Sequence, residues 1–240
     1  MDERIARLVA IPGVRTAAEV AEQVAGAAAS SEVLPVLPGL TRLLPGTGLE
    51  RGDTVAVSGS VSLLLGLVAG VTGAGGWAAV VGMPELGLVA AAELGVDLGR
   101  FALVASPVAE VIAVATALLD GVDLVVLGSP AVAVAAVSGP VARRLSARAR
   151  HRGAVLVAAG PWPGAELELR AEPGLWSGLE DGPTGYLTGQ IAVVYRHGRG
   201  AAARPARFTV ALPHPGGEIT AVPVRRDRSA EQVAALESAR

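Results

Sequence analysis

Apolar residues follow two rhythms along the chain. Between residues 54 and 158, short aliphatic runs alternate with stretches whose apolar positions recur at three and four residues. The runs are TVAV (54–57), WAAVV (77–81), FALV (101–104), VDLVVL (122–127) and AVLVA (154–158). They predict strands, apolar on both faces as central parallel strands are. Ser58-Gly59-Ser60 breaks the first run and opens a leucine-rich helix. Over 85–95, Leu86, Val89, Ala90 and Leu94 share one helical face. Ser106 and Pro107 form an N-cap and first-turn pair for a helix presenting Val108, Val111, Ile112, Ala115 and Leu119, which Gly121 stops. A helix over 140–152 turns Val141, Leu145 and Ala149 inward and most of its arginines outward. This alternation predicts an α/β domain with a mostly parallel sheet and helices on both faces.

Beyond 158 the rhythm changes. ELELR (166–170), IAVVY (191–195) and RFTVAL (207–212) read as strands without helices between them, joined by glycine turns such as His197-Gly198-Arg199-Gly200. They are expected as antiparallel edge strands. Upstream, 1–31 sets Ile5, Leu8, Val9, Val20 and Val24 among charges, which suits one or two short helices broken at Pro12-Gly13. Proline punctuates the apolar stretch 32–48, a packed connection rather than a solvated linker, so the α/β domain is taken as 32–224. Residues 225–240 form a charged tail with one helical pattern, Ser229 and Gln232 as a capping box ahead of Val233 and Leu236.

Composition narrows the chemistry. With 240 residues, 51% of them hydrophobic and few aromatic, the chain can bury one sizeable core of small branched side chains. A net charge of −2 provides no global field for nucleic acid. All 20 basic residues are arginine, so lysine chemistry is absent, and the lack of cysteine removes disulfides, thiol catalysis and cysteine-based zinc sites. His151, His197 and His214 stand singly, outside metal-ligand spacings, so no metal is expected. The uncharged run 54–84 is long enough for a membrane span. Breaks at Ser58-Gly59-Ser60 and at 72–76 leave pieces too short to cross, and no signal-type apolar core precedes Pro12. A cytoplasmic protein without a membrane partner is the expectation.

Strand, glycine turn and helix over 54–70 have the layout of a P-loop, in which backbone N–H groups at a helix N-terminus cradle phosphates. A working loop reads G-x-x-x-x-G-K-[ST]. Counted from Gly59, the last three places hold Leu64, Leu65 and Gly66. No Ser-His-Asp set or paired-carboxylate motif can be assembled, and Asp123 reads as a turn residue at the start of a strand. Arg144, Arg148 and Arg152 fall on one i, i+4 ridge with Arg143 and Arg150 further round. That ridge is either a patch for phosphate or an acidic partner, or the solvated face of an amphipathic helix. Trp162 and Trp176 lie in proline- and glycine-rich turns, as partner anchors or as covers for a sheet edge.

In the order of its pieces the chain resembles the core of the RecA recombinase family. The matching parts are a glycine-rich lead from Leu37-Pro38-Gly39 to Leu49-Glu50-Arg51-Gly52, a strand into a P-loop over 55–60, and a strand and turn over 80–85 that in the family carries a catalytic glutamate. Leu94-Gly95-Val96-Asp97 stands intact, and 122–127 with Gly128-Ser129 corresponds to the Walker B strand. The departures concern the pocket: Gly128 stands where the Walker B aspartate would fall, the loop lysine is missing, and Glu85 is one or two places out of register. Gly59, Ser60, Ser62 and Gly66 are thus a vestigial P-loop and Gly128 a vestigial Walker B, with no cofactor expected.

A RecA-like chain with such a pocket is similar to the ImuA-type accessory proteins of bacterial mutagenic translesion synthesis, in their divergent actinobacterial branch. The resemblance implies a non-enzymatic adaptor in damage-induced (SOS) mutagenesis, beside a Y-family polymerase-like protein and an error-prone C-family DNA polymerase. Val233, Leu236, Arg144, Arg148 and Arg152 are the candidate partner contacts, and any direct DNA contact is expected to be weak. Two alternatives stand beside it: a residual nucleotide-binding protein or weak ATPase with arginine in place of lysine, Arg51 and Arg100 being nearest the key turns, and a SulA-like cell-division inhibitor.

Overall fold

The computed structural model describes residues 33–105, 110–128, 139–177, 189–212 and 220–221. The chain divides into two units, 1–32 and 33–240, and every described residue belongs to the second. The expected N-terminal helices, the Ser106-Pro107 cap, Ser129, His214 and the tail with Val233 and Leu236 lie outside the described residues.

The main sheet contains nine strands among the described residues. They are β3 (Thr54–Ser58), β4 (Ala78–Val81), β5 (Phe101–Val104), β6 (Leu124–Leu127), β7 (Val155–Ala158), β8 (Leu167–Ser177), β9 (Gly189–Gly198), β10 (Ala206–Ala211) and β11 (Thr220–Ala221). Their spatial order is β11-β10-β9-β8-β3-β7-β6-β4-β5. From β5 to β8 all neighbours are parallel, and β9, β10 and β11 add antiparallel strands at one side. The architecture is therefore α/β, a mostly parallel sheet carrying antiparallel strands at its edge.

Helices cover both faces. On one side lie α1 (Val61–Gly73) and α2 (Leu88–Glu93), on the other α3 (Val111–Leu118) and α4 (Gly139–Arg152). Every fully buried leucine contributes about 1.5–3 kcal/mol of hydrophobic stabilisation. Helix α1 buries Leu63, Leu64, Leu65 and Leu67, so it is anchored far more firmly than its intrinsic propensity would allow. On the opposite face Val111, Ala115 and Leu119 of the α3 region meet Ala142, Leu145 and Ala149 of α4 over the central strands. Among the described residues no helix is long and apolar enough to cross a membrane.

Three details depart from the sequence reading. The stretch expected as a packed connection does bury Leu40 and Leu43, but it also contains an unforeseen antiparallel ribbon, β1 (Val33–Pro35) with β2 (Gly48–Glu50), enclosing a 3-10 turn, Pro38–Leu43. Strand β8 runs parallel to β3, not antiparallel. Residues 159–166 make the return crossover without a helix, and buried Trp162 and Ala165 pack with Ala56 of β3 as a crossover helix would. On the α2 side the expected stripe shifts: Val89 is exposed, and Ala91 points inward with Leu86 and Leu94.

Candidate functional site: the strand ends and the arginine helix

At the carboxyl end of β3 only Gly59 and Ser60 separate strand from helix. Ser60 is the N-cap of α1, its Oγ accepting the Leu63 N–H at 3.1 Å, so the hydroxyl that begins the vestigial loop satisfies the helix end itself. Ser62 lies in the first turn, and Leu64, Leu65 and Gly66 are buried within the helix rather than exposed in a loop. A G-x-x-x-x-G-K-[ST] loop needs a run of backbone free to wrap a phosphate, and here helix occupies that run.

Close approach of neighbouring backbone requires glycine at two of the expected positions. Gly59 has φ +83°, and a Cβ placed on it would stand 1.9 Å from the Ala171 carbonyl oxygen. The cause is the β3–β8 ladder, which pairs Ser58 with Arg170 and carries β8 past the turn. Gly128 is crowded in the same way: its N–H donates to the Val81 carbonyl at 2.8 Å, and a Cβ would lie 2.4 Å from the Gly82 carbonyl oxygen and 2.5 Å from Met83 Cγ. An aspartate cannot enter that position without displacing the Gly82-Met83 turn. Glu85 is exposed beyond that turn.

Both arginines considered as lysine substitutes sit at the opposite, amino-terminal edge of the strands. Arg51 Nη2 pairs with Asp123 Oδ1 at 2.7 Å, and its Nη1 donates to the Gly153 carbonyl at 3.0 Å. Arg100 donates to the Gly75 carbonyl at 2.7 Å and its guanidinium stacks 5.9 Å from the Trp77 ring centre. Asp123 is more than a turn residue. Buried at the start of β6, it accepts the Trp77 N–H at 2.8 Å as well as the Arg51 bond, tying together the lead-ins to β3, β4, β6 and β7. Sequence order alone could not pair Asp123 with Arg51; the one available signal is a lone acid inside the apolar run VDLVVL.

A second acidic group lies beside this edge. Glu166 accepts the Thr54 N–H at 2.9 Å and pairs with Arg150 at 2.7 Å. Asp53 next to it is pushed up to about 6, first by burial and then by Glu166 and Glu50, with Arg150 acting the other way. A cleft of about 190 Å³ lies there, lined among others by Glu50, Asp53, Glu166 and Arg199. No group of three His, Cys, Asp or Glu among the described residues is placed to hold a metal ion.

The arginine ridge divides. Arg148 forms a two-point pair with Asp120, its Nε at 2.6 Å from Oδ1, and Arg152 Nε reaches the same carboxylate at 3.1 Å. These bonds, led by the one from Arg148, hold the Asp120 carboxyl below its ordinary range. Arg144 is exposed and makes no ion pair among the described residues. The two tryptophans divide as well: Trp162 is buried and donates its indole N–H to Ser146 Oγ at 3.0 Å, whereas Trp176 is 48% exposed on β8.

Residues 42–164, just over half of the chain, match the family model described as the MT3502 N-terminal domain. Uncharacterized protein Rv3395c of Mycobacterium tuberculosis (strain ATCC 25618 / H37Rv) is 42% identical over 159 residues, which cover 65% of this chain and 72% of that relative. The family match spans β3 through β7.

Proposed function

The chain belongs to the family of the MT3502 N-terminal domain, and because helix begins two residues after β3 with no lysine to reach a phosphate, we propose that it is a non-catalytic RecA-fold adaptor of the cytoplasm. It works in damage-induced mutagenic translesion synthesis, holding a Y-family polymerase-like protein and an error-prone C-family DNA polymerase together. One observation carries the non-catalytic part: helix begins two residues after β3, so the G-x-x-x-x-G-K-[ST] loop is missing together with its lysine. The choice of assembly rests on the RecA resemblance over the same strands. The weak-ATPase alternative loses its support, since Arg51 and Arg100 are engaged at the other edge of the sheet.

The test is capture of the tagged full-length chain from cells before and after DNA damage. Recovery of the Y-family and C-family polymerase components after damage is the expected result. If no polymerase component is recovered, the adaptor reading fails. Truncation after Val224 then asks whether Val233 and Leu236 matter: undiminished capture excludes the tail and moves attention to the edge strands β9 and β10.

A further inference from the structure

We propose that the groove between α3 and α4 is a docking site for an acidic amphipathic helix of a protein partner. This inference is independent of which assembly the chain joins. The groove encloses about 340 Å³, with Ile112, Val141 and Leu145 along its floor and Arg144, Arg148 and His151 on its rim. That volume lies at the lower end of the about 300–1,000 Å³ typical of ligand pockets, enough for a few apolar side chains of a helix laid along it. The polar group facing the groove from α3 is already satisfied, because the Thr116 hydroxyl donates to the Ile112 carbonyl at 2.7 Å. An apolar anchor can therefore enter without stranding a hydrogen-bonding atom.

Charge decides what kind of helix fits. Helix α4 carries Arg143, Arg144, Arg148, Arg150, His151 and Arg152 and no acidic residue from Gly139 to Arg152. Asp120 meets Arg148 and Arg152, and Glu166 meets Arg150, which leaves Arg144 on the rim with no carboxylate among the described residues. An excess of cation on this one helix, in a chain of net charge −2, is complementary to carboxylates flanking an apolar stripe. The arrangement is the helix-in-groove mode, in which anchors at i, i+3, i+4 and i+7 enter an apolar channel. Nucleic acid fits less well, since it would use the cations and leave the apolar floor unfilled.

The absence of cysteine and the exposure of Arg144 and Ala147 make the test direct. Full-length protein is titrated against a labelled synthetic 16-residue peptide with leucines at i, i+3, i+4 and i+7 and glutamates elsewhere (~16 residues covers about four helical turns), followed by fluorescence anisotropy at low salt. Saturable binding is expected, weakened about tenfold by Arg144→Glu and abolished by Ala147→Trp, which fills the channel from an exposed position. Both variants should melt as the parent does. A peptide with lysine in place of glutamate should not bind. The proposal is overturned if the acidic peptide fails to bind, if the lysine peptide binds equally, or if neither substitution matters. It is also overturned if a peptide of residues 225–240 binds more tightly through the same two residues, which would make the chain's own tail the occupant. Tighter binding of a single-stranded oligonucleotide, sensitive to Arg144→Glu and indifferent to Ala147→Trp, would overturn it in favour of nucleic acid.

Discussion

Asp123→Ala should be one of the most damaging single substitutions in the chain. The carboxylate is 6% exposed and Arg51 opposite it 19%, so removal takes the Asp123 bond from a largely desolvated guanidinium and leaves the Trp77 N–H without this acceptor. Removing one member of a buried pair costs about 3–5 kcal/mol. The residual exposure of Arg51 and its surviving bond to the Gly153 carbonyl place the expected loss at the lower end, about 3 kcal/mol. For a chain of this size each kcal/mol moves Tm by about 2–4 °C, so the variant should melt roughly 6–12 °C lower by circular dichroism or calorimetry. Asp123→Asn keeps an oxygen for Trp77 and loses the charge, and should fall between. The paired change Arg51→Met with Asp123→Leu removes both ends of the bond together and is expected to cost less than the sum of the two single changes. A melting point for Asp123→Ala within about 2 °C of the parent would refute the clamp.

Asp53→Asn should stabilise the protein in neutral and alkaline solution and not in acid. Because its folded pKa is raised from 3.8 to about 6, the carboxyl contributes stability that is complete below pH 3.8 and lost as pH climbs through about 6; discounted for its partial exposure, the gain at pH 8 is about 1 kcal/mol, and an equal gain at pH 3.5 would disprove the assignment. Millimolar Mg-ATP should leave Tm unchanged, whereas a ligand at about 100 times its Kd would add roughly 2.7 kcal/mol, so a reproducible upward shift in thermal scanning would sink the argument from the missing loop and lysine. Gly128→Asp, which restores the Walker B acid, should cost about 2–3 kcal/mol through overpacking against Gly82 and Met83 and create no magnesium response; a variant as stable as the parent would mean that the turn yields easily.

The parallel core was legible because each of β3 to β7 is a compact apolar run set off by glycine or proline, and the helices between them repeat at helical spacing. What could not be read depends on contacts between distant segments. The three-residue ribbon β1–β2 contains Pro35 and Gly48 and shows no alternation to mark it. The direction of β8 follows from a crossover in which one buried indole replaces a helix, and nothing in the strand sequence itself records that direction. Val89 matched the apolar spacing of its neighbours, but α2 begins only at Leu88 after the turn 84–87, which rotates that side chain to solvent. The missing lysine and aspartate were visible in the text of the chain. The approach of Ala171 to Gly59 was not, because the two lie far apart along the sequence.

In open α/β sheets a small ligand usually sits beyond the carboxyl ends of the strands, where the strand order changes direction. Here β3 occupies that place, between β7 and β8, and the backbone of β8 runs close beside its exit turn at Gly59. The opposite strand edge is held by the Asp123–Arg51 bond and the Glu166 contacts. With both ends of β3 tied to neighbouring strands, movement of the core is opposed, and the surfaces left for recognition are faces and margins. Trp176 and Ile191, about half exposed, stand on adjoining strands at one margin, and Leu88 and Val89 at another. A single exposed aliphatic residue is ordinary on any surface, but a half-exposed tryptophan on a paired strand is the kind of rigid apolar anchor that protein interfaces favour. None of these four side chains lines the groove between α3 and α4, so a partner anchored by Trp176 and one held in the groove are separable: Trp176→Ala should weaken the first and leave the second unchanged.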